Sequence, residues 1–416
     1  MNSKRNYPLL LTGQFIGAFG DNFLLAIILG PLTFQLLSGQ ISEQQVNAQN
    51  VLYSAVFFFP FIIFAPIAGF FNDRWPKTTG LFWGNLLKVA GTAIGLIGVW
   101  TNRGNSHQAH LWQVISYTIV GVGACLYSPA KYGILPEILP ADRLVKANGA
   151  VEMLTLVAIL GGLWGGAALF DHVRSLPLCY LTTMLLYVAA LGLNAGMQRT
   201  AHNAAASLRH SLTEFGRTLS ALVRHVRLGR VLLGSGTFWF AGAILRSNLQ
   251  GWGLQTLQAA GVADITNQKL ALLKIGLILG VVLGSLLAGY LHKVGDLGSA
   301  RRYGLLMASG ILLLGLIGGQ AGLIIAIACL VATGLAAGLL LIPLNAALQH
   351  ECDATRLGKA IAVQNFVDYV AMLIGAGFLQ LMTSLNLAPS QVFIALAGTL
   401  LVLALPLRLR RDNPTS

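Results

Sequence analysis

Six ionisable side chains stand inside or at the mouths of long hydrophobic runs: Asp21, Lys88, Lys131, Glu152, Arg246 and Asp368, three acids and three bases. A charge at the centre of a bilayer costs roughly 3 kcal/mol on insertion scales, so each must be paired, shielded or used. Their neighbours at helical spacing are polar too. Gln14, Gly17 and Asp21 recur at i, i+3 and i+7, and Asn85, Lys88 and Thr92 repeat that spacing. Asn148, Glu152 and Thr155 run i, i+4, i+7, while Gln364 and Asp368 are i, i+4. On a helix each set shares one face. A polar face cannot front lipid, so these stripes are expected to line an interior. The chemistry open to them there is non-covalent: Arg or Lys gripping a phosphate or carboxylate, Asp or Glu accepting an ammonium. The competing expectation is that the charges pair internally and only hold helices together. Six of them weigh against it, because apolar packing serves that purpose at lower cost.

Other chemistries find no footing. The eight histidines sit mostly in loops without metal-ligand spacing, and the His-x4-Asp pair of membrane acyltransferases does not occur. Cys125, Cys179, Cys329 and Cys352 have no paired spacing, so neither a zinc site nor a disulfide framework is expected. No enzyme constellation, cofactor or metal is expected. Lys274, five residues inside an apolar run, is expected to snorkel to the outer membrane interface.

The elements that must position these residues are membrane spans. Of 416 residues, 55% are hydrophobic and only 10% charged, where soluble domains carry about 25%. Apolar runs of spanning length fall at 8–37, 49–71, 79–100, 109–130, 147–170, 176–197, 231–257, 269–291, 303–319, 321–348, 359–383 and 390–407, twelve in all. The start, "MNSKRNYPLLLTGQF", imitates a signal peptide, but its apolar run continues to Leu37 and is read as a retained first span. With the N-terminus cytoplasmic, 21 of the 27 Lys and Arg residues fall on the cytoplasmic side, against Arg103, Arg174 and Lys269 opposite. Both termini are therefore expected in the cytoplasm. The net charge of +13 is then an orientation signal, which excludes a nucleic-acid partner.

The longest loop, 198–230, divides the chain into two six-span halves, 1–197 and 231–416. Within it Leu208, Leu212, Phe215, Leu219, Leu222 and Val226 recur at helical spacing beside four arginines, which predicts an amphipathic helix at the cytoplasmic surface, drawn to anionic lipid. A solvated linker helix is the other reading. The halves repeat weakly. "PAKYGILPEILPADRLVKANGAVE" (129–152) and "PLNAALQHECDATRLGKAIAVQN" (343–365) share a proline, a glutamate eight residues on, then Arg and Lys. In the loop "GFFNDRWPKTTG" (69–80), Gly69, Asp73, Arg74 and Lys77 match the loop 2–3 signature of the major facilitator superfamily, with Pro76 in place of its usual glycine. Parallel six-helix repeats with a site between them near the midplane are that superfamily's architecture. Asp73, Arg74 and Lys359 are the expected gating residues, Asp73 capping or pairing with the start of span 11 when the cytoplasmic side is closed.

Finer motifs occur in order: "FGDN" (19–22), "GNLLK" (84–88), "YSPAKYGIL" (127–135), "LVKANG" (144–149), "FW" (238–239) with "LR" (245–246), "PLNA" (343–346) and "AIAVQN" (360–365). Over nearly the whole chain they resemble the bacterial lysophospholipid transporters of the major facilitator superfamily. The departures are Asp368, where that family tends to have Glu, Tyr369 in place of a small polar residue, and the polar loop 38–50. The resemblance implies an all-α protein of twelve transmembrane helices in the bacterial inner membrane, moving lysophospholipid from the outer to the inner leaflet. There a cytoplasmic acyltransferase/acyl-carrier-protein synthetase re-acylates it. Some relatives are fused to that enzyme, and a separate partner is implied here. Arg246 is expected to hold the phosphate, with Lys88 or Lys131 adding charge along the path. Asp21 and Glu152 orient the arginine or accept an ethanolamine, and Asp368 completes the set of internal acids. Asn22, Asn345, Gln364 and Asn365 supply neutral hydrogen bonds. Asp21 is expected to be neutralised by Arg246 or by a substrate cation. The alternatives are a carrier of a small polar solute or drug, with Asp21 as a proton site, and a non-transporting scaffold or sensor.

Overall fold

The computed structural model describes residues 3–37, 39–41, 43–102, 106–200, 208–259, 261, 267–317, 323–353 and 356–408. Fifteen α-helices and two short 3₁₀ turns account for the regular structure among them. The helices are α1 (Ser3–Leu37), α2 (Glu43–Ile63), α3 (Ala65–Arg74), α4 (Lys77–Thr101), α5 (Ser106–Gly133), α6 (Leu135–Ile138), α7 (Leu144–Val173) and α8 (Leu176–Ala195). They continue with α9 (Leu208–Arg224), α10 (Val226–Ala259), α11 (Asn267–Leu291), α12 (Ala300–Ile317), α13 (Leu323–Glu351), α14 (Leu357–Ser384) and α15 (Pro389–Ala404). Eleven of these are long and apolar enough to cross a membrane, and the bent pair α2–α3 makes a twelfth span.

The bend between α2 and α3 is 56° and has a local cause. Pro66 has no N–H to continue the ladder and its ring crowds the preceding turn. Phe64 takes up the break at φ −94°, ψ 5°, with the N–H of Phe64 given to Pro60 and that of Ala68 to Phe64. The junction between the ninth and tenth runs, "GGQAG", lies outside the described residues, with α12 ending at Ile317 and α13 beginning at Leu323. Elsewhere the spans follow the apolar runs closely because backbone groups in lipid must be satisfied within their own segment, leaving length and apolarity to decide. The outward faces carry Trp83, Trp100, Trp164, Leu316 and Ile324 exposed, as hydrocarbon surroundings permit.

Grouped by contact, the helices form two compact units whose bounds are not a cut at the linker. Unit 1 comprises Met1–Leu139, Leu154–Gly216 and Asp353–Asn365; unit 2 comprises Pro140–Met153, Arg217–Cys352 and Phe366–Ser416. The first turns of α7 thus belong with the second half, and those of α14 with the first. The internal repeat acquires a physical meaning from these segments. In unit 1 a side chain on Gly69 would press on the Cα of Lys359; in unit 2 one on Gly289 would press on the Cα of Lys146. Lys146 and Lys359 are the repeated lysines of the two matching stretches.

Packing without apolar driving force relies on small residues that let backbones close up. The seam between α11 and α13 in unit 2 is built so: a Cβ on Gly280 or Gly284 would meet the carbonyls of Val331 or Leu335, and one on Gly334 or Gly338 those of Leu277 or Val281. Unit 1 has its apolar core on α1, α2, α4, α5 and α8, with Leu24, Ile27, Tyr53, Val120, Tyr180 and Tyr187 among its buried members.

The linker helix α9 buries part of its apolar stripe. Its apolar residues Phe215 and Leu222 are buried against protein, whereas Arg217 and Arg224 are exposed. Leu219 is half-buried, and Val226, the first residue of α10, is 68% exposed. Leu208 and Leu212 have side chains outside the described residues.

Candidate functional site

The polar stripes are largely buried: those of α1 and α4 lie in unit 1, whereas Asn148 and Glu152 fall in unit 2 with Thr155 in unit 1, and Asp368 in unit 2 with Gln364 in unit 1. In unit 1, Asp21 on α1 is held from two other helices. Lys88 Nζ on α4 donates to its Oδ2 at 2.7 Å, and Tyr187 Oη on α8 donates to its Oδ1 at 2.8 Å. Lys88 is 3% exposed and lies 5.5 Å from the ring centroid of Tyr127 and 5.6 Å from that of Tyr187, so aromatic faces shield the ammonium where the carboxylate does not. Gly20 permits this: a Cβ there would lie 2.8 Å from Tyr187 Cε1. The same layer continues with Asn85 Nδ2 donating to Asn194 Oδ1 at 2.7 Å and Thr155 Oγ1 to Gln14 Oε1 at 3.2 Å.

The expectation that Arg246 neutralises Asp21 is overturned, since both carboxylate oxygens are taken within unit 1. A depth count along the sequence does not find this pair, because α1 has 35 residues, about 52 Å, and overhangs any ~30 Å hydrocarbon layer. Position along such a helix does not fix depth, and a lysine stem spans the residual offset. Tyr187 and Tyr127 were missed because a tyrosine inside an apolar run reads as one more aromatic.

Unit 2 holds a second polar layer. Ser235 Oγ on α10 donates to Asp368 Oδ1 on α14 at 2.6 Å, and Glu152 on α7 is buried in the same unit. Asn148 and Gln349 exchange two hydrogen bonds, at 2.8 and 2.9 Å, joining α7 to α13. Asn345 is buried on α13. Arg246 differs from all of these: it is exposed on α10 and makes no hydrogen bond or ion pair among the described residues.

The remaining predicted residues are spread through unit 1. Asn22 gives its amide back to the Ala18 carbonyl of its own helix at 2.9 Å. Lys131, in the last turn of α5, stands over the ring of Tyr132 at 4.5 Å. Gln364 is buried, and Asn365 donates to Ser128 Oγ at 3.0 Å. Arg74 is half-buried at the end of α3. Its neighbour Asp73 accepts the N–H of Gly358 at 2.8 Å, in the first turn of α14. A carboxylate from α3 thus does for α14 what an N-cap side chain does for its own helix. Gly358 has to lack a side chain, because a Cβ would stand 2.6 Å from Asp73 Oδ1. Lys359 pairs with Glu214 of α9, a partner outside the predicted set.

The arrangement is a buried polar layer in unit 1 centred on Asp21, Lys88 and Tyr187, a second in unit 2 with Asp368 held by Ser235, and one exposed guanidinium within a span. Residues 10–376 match the family described as the Major Facilitator Superfamily. The chain is 31% identical over 405 residues to the lysophospholipid transporter LplT of Photorhabdus laumondii, covering 96% of this chain and 94% of that protein. It is 34% identical over 387 residues to LplT of Serratia proteamaculans, covering 91% and 88%. The fold resembles the human organic anion transporter MFSD10 (TM-score 0.77, 16% identity, 98% and 100% covered). It likewise resembles the E. coli fucose:proton symporter FucP (TM-score 0.72, 16% identity, 99% and 100% covered). The chain belongs to the major facilitator superfamily and, within it, to the lysophospholipid transporter family.

Proposed function

We propose that this protein carries lysophospholipids from the outer to the inner leaflet of the bacterial inner membrane by alternating access, for re-acylation by a cytoplasmic-side acyltransferase. The observation that carries the reading is Arg246: a permanent charge within a span, exposed and without a partner among the described residues, in a protein whose other internal charges on α1 and α4 are already paired. A guanidinium presents a planar fork to phosphate and cannot be neutralised by losing a proton. The names of the relatives support the same cargo. The basic residues, 21 of 27 assigned to one side, support cytoplasmic termini.

In this reading Arg246 takes the phosphate, and Lys88 and Lys131 are further cations met on the way inward. Asp21, Glu152 and Asp368 are acids able to receive an ethanolamine when their present donors let go. Asn22, Asn345, Gln364 and Asn365 bond the glycerol and ester oxygens. The test is initial flux of lysophosphatidylethanolamine into proteoliposomes containing only this protein. Arg246→Ala is expected to fall to the protein-free background, and Arg246→Lys to stay low because the fork is lost. Chainless glycerophosphoethanolamine should compete poorly, since each buried CH₂ contributes about 0.8 kcal/mol. Wild-type flux in Arg246→Ala refutes the assignment of this residue, and equal competition by the chainless headgroup points to a small-solute carrier.

A further inference from the structure

Lys274, inside an apolar run, has a hydrogen-bond partner on a neighbouring helix. Its Nζ donates to Gln250 Oε1 on α10 at 3.1 Å, so the ammonium is turned toward the neighbouring helix. Gln250 stands one helical turn beyond Arg246, and both are exposed on the same face of α10. Lys274 and Arg246 thus flank one side chain, Gln250, which the first bonds and the second precedes by one turn on α10. All three residues belong to unit 2, and no carboxylate among the described residues bonds to either cation.

Two like charges side by side in apolar helices are unfavourable until an anion joins them. The amide oxygen of Gln250 engages one of the three ammonium protons and leaves two to give. We propose that Lys274 is a second phosphate ligand, forming with Arg246 a two-cation site on α10 and α11 that Gln250 orients; this rests on the lysophospholipid reading above. Lys274 is seven residues from the first residue of α11, about 10 Å, while Arg246 is thirteen from the last residue of α10, about 20 Å. With these helix ends on the outer side, a phosphate arriving from the outer leaflet meets Lys274 first and is passed inward to Arg246.

The test is equilibrium binding to the purified full-length protein, read by intrinsic tryptophan fluorescence, of two probes with the same acyl chain. One is lysophosphatidylethanolamine; the other is monoacylglycerol, which lacks the phosphate. Lys274→Gln should weaken the phosphate-bearing probe about tenfold, the worth of one charge-assisted hydrogen bond, and leave monoacylglycerol unchanged. Lys274→Arg should restore most of the difference. A purely structural lysine would weaken both probes alike and lower the melting temperature. That result, or unchanged lysophosphatidylethanolamine binding in Lys274→Gln, overturns the proposal. If the wild type binds both probes equally, the lysophospholipid reading fails with it.

Discussion

Asp21 and Arg246 are both charges within spans, yet they stand in opposite conditions. Asp21 is closed on both oxygens by Lys88 and Tyr187, while Arg246 has no such partner among the described residues. A buried ion pair is weak evidence for stability, but breaking one is costly because it strands the other charge. Asp21→Asn is therefore expected to destabilise the protein by about 3–5 kcal/mol, leaving the Lys88 ammonium without its counter-charge. The double variant Asp21→Asn/Lys88→Met removes both charges and should recover most of that loss. Thermal melting of the wild type, both single variants and the double variant in one detergent gives the coupling. A single Asp21→Asn that melts like the wild type would show that the pair does not hold α1 to α4. Arg246→Ala, by contrast, removes a charge with no protein partner among the described residues and should leave the melting temperature nearly unchanged.

Among the elements, α14 shows how a helix end can be made dependent on another helix. Its Gly358 N–H is satisfied by Asp73 of α3, and its Lys359 by Glu214 of α9. Helix-terminal N–H groups left without a partner favour fraying of the first turn. Asp73→Asn keeps an acceptor oxygen but loses the charge that favours a helix N-terminus. We expect that variant to expose a cysteine placed near the start of α14 to a membrane-impermeant reagent from the cytoplasmic side, with lipid binding retained. Unchanged labelling would separate Asp73 from gating. The spans themselves were legible in the sequence: the run 8–37 lies within α1 and 176–197 nearly coincides with α8, because hydropathy and length govern helices in lipid. The polar stripes were legible as buried faces for the same reason. Their partners were not. Which helix a stripe meets depends on neighbour order and axial rotation, and hydropathy carries neither, so Lys88 and Tyr187 were not named as the partners of Asp21. The amphipathic pattern of α9 likewise marked an apolar face without saying that protein covers Phe215 and Leu222.

At the scale of the whole molecule, the repeat is physical as well as textual: Gly69 against Lys359 in one unit and Gly289 against Lys146 in the other place a glycine of one span beside the lysine that begins another. The two halves nevertheless carry different charge. Unit 1 closes Asp21 with Lys88, while in unit 2 Arg246 is exposed without a partner among the described residues. The pairing of Asp21 also has a consequence for biosynthesis. Its two partners lie 67 and 166 residues further along the chain. While the ribosome is still making the loop before α4, the first span has left the tunnel with a carboxylate that has nothing to bind. A nascent chain ending near residue 75 must therefore either linger at the insertion machinery or enter lipid with that group unmatched. Glycosylation-tag insertion assays on such truncations should show poor insertion of the first span, improved by Asp21→Asn, and the same improvement without the substitution once the chain is long enough for Lys88 to have left the tunnel.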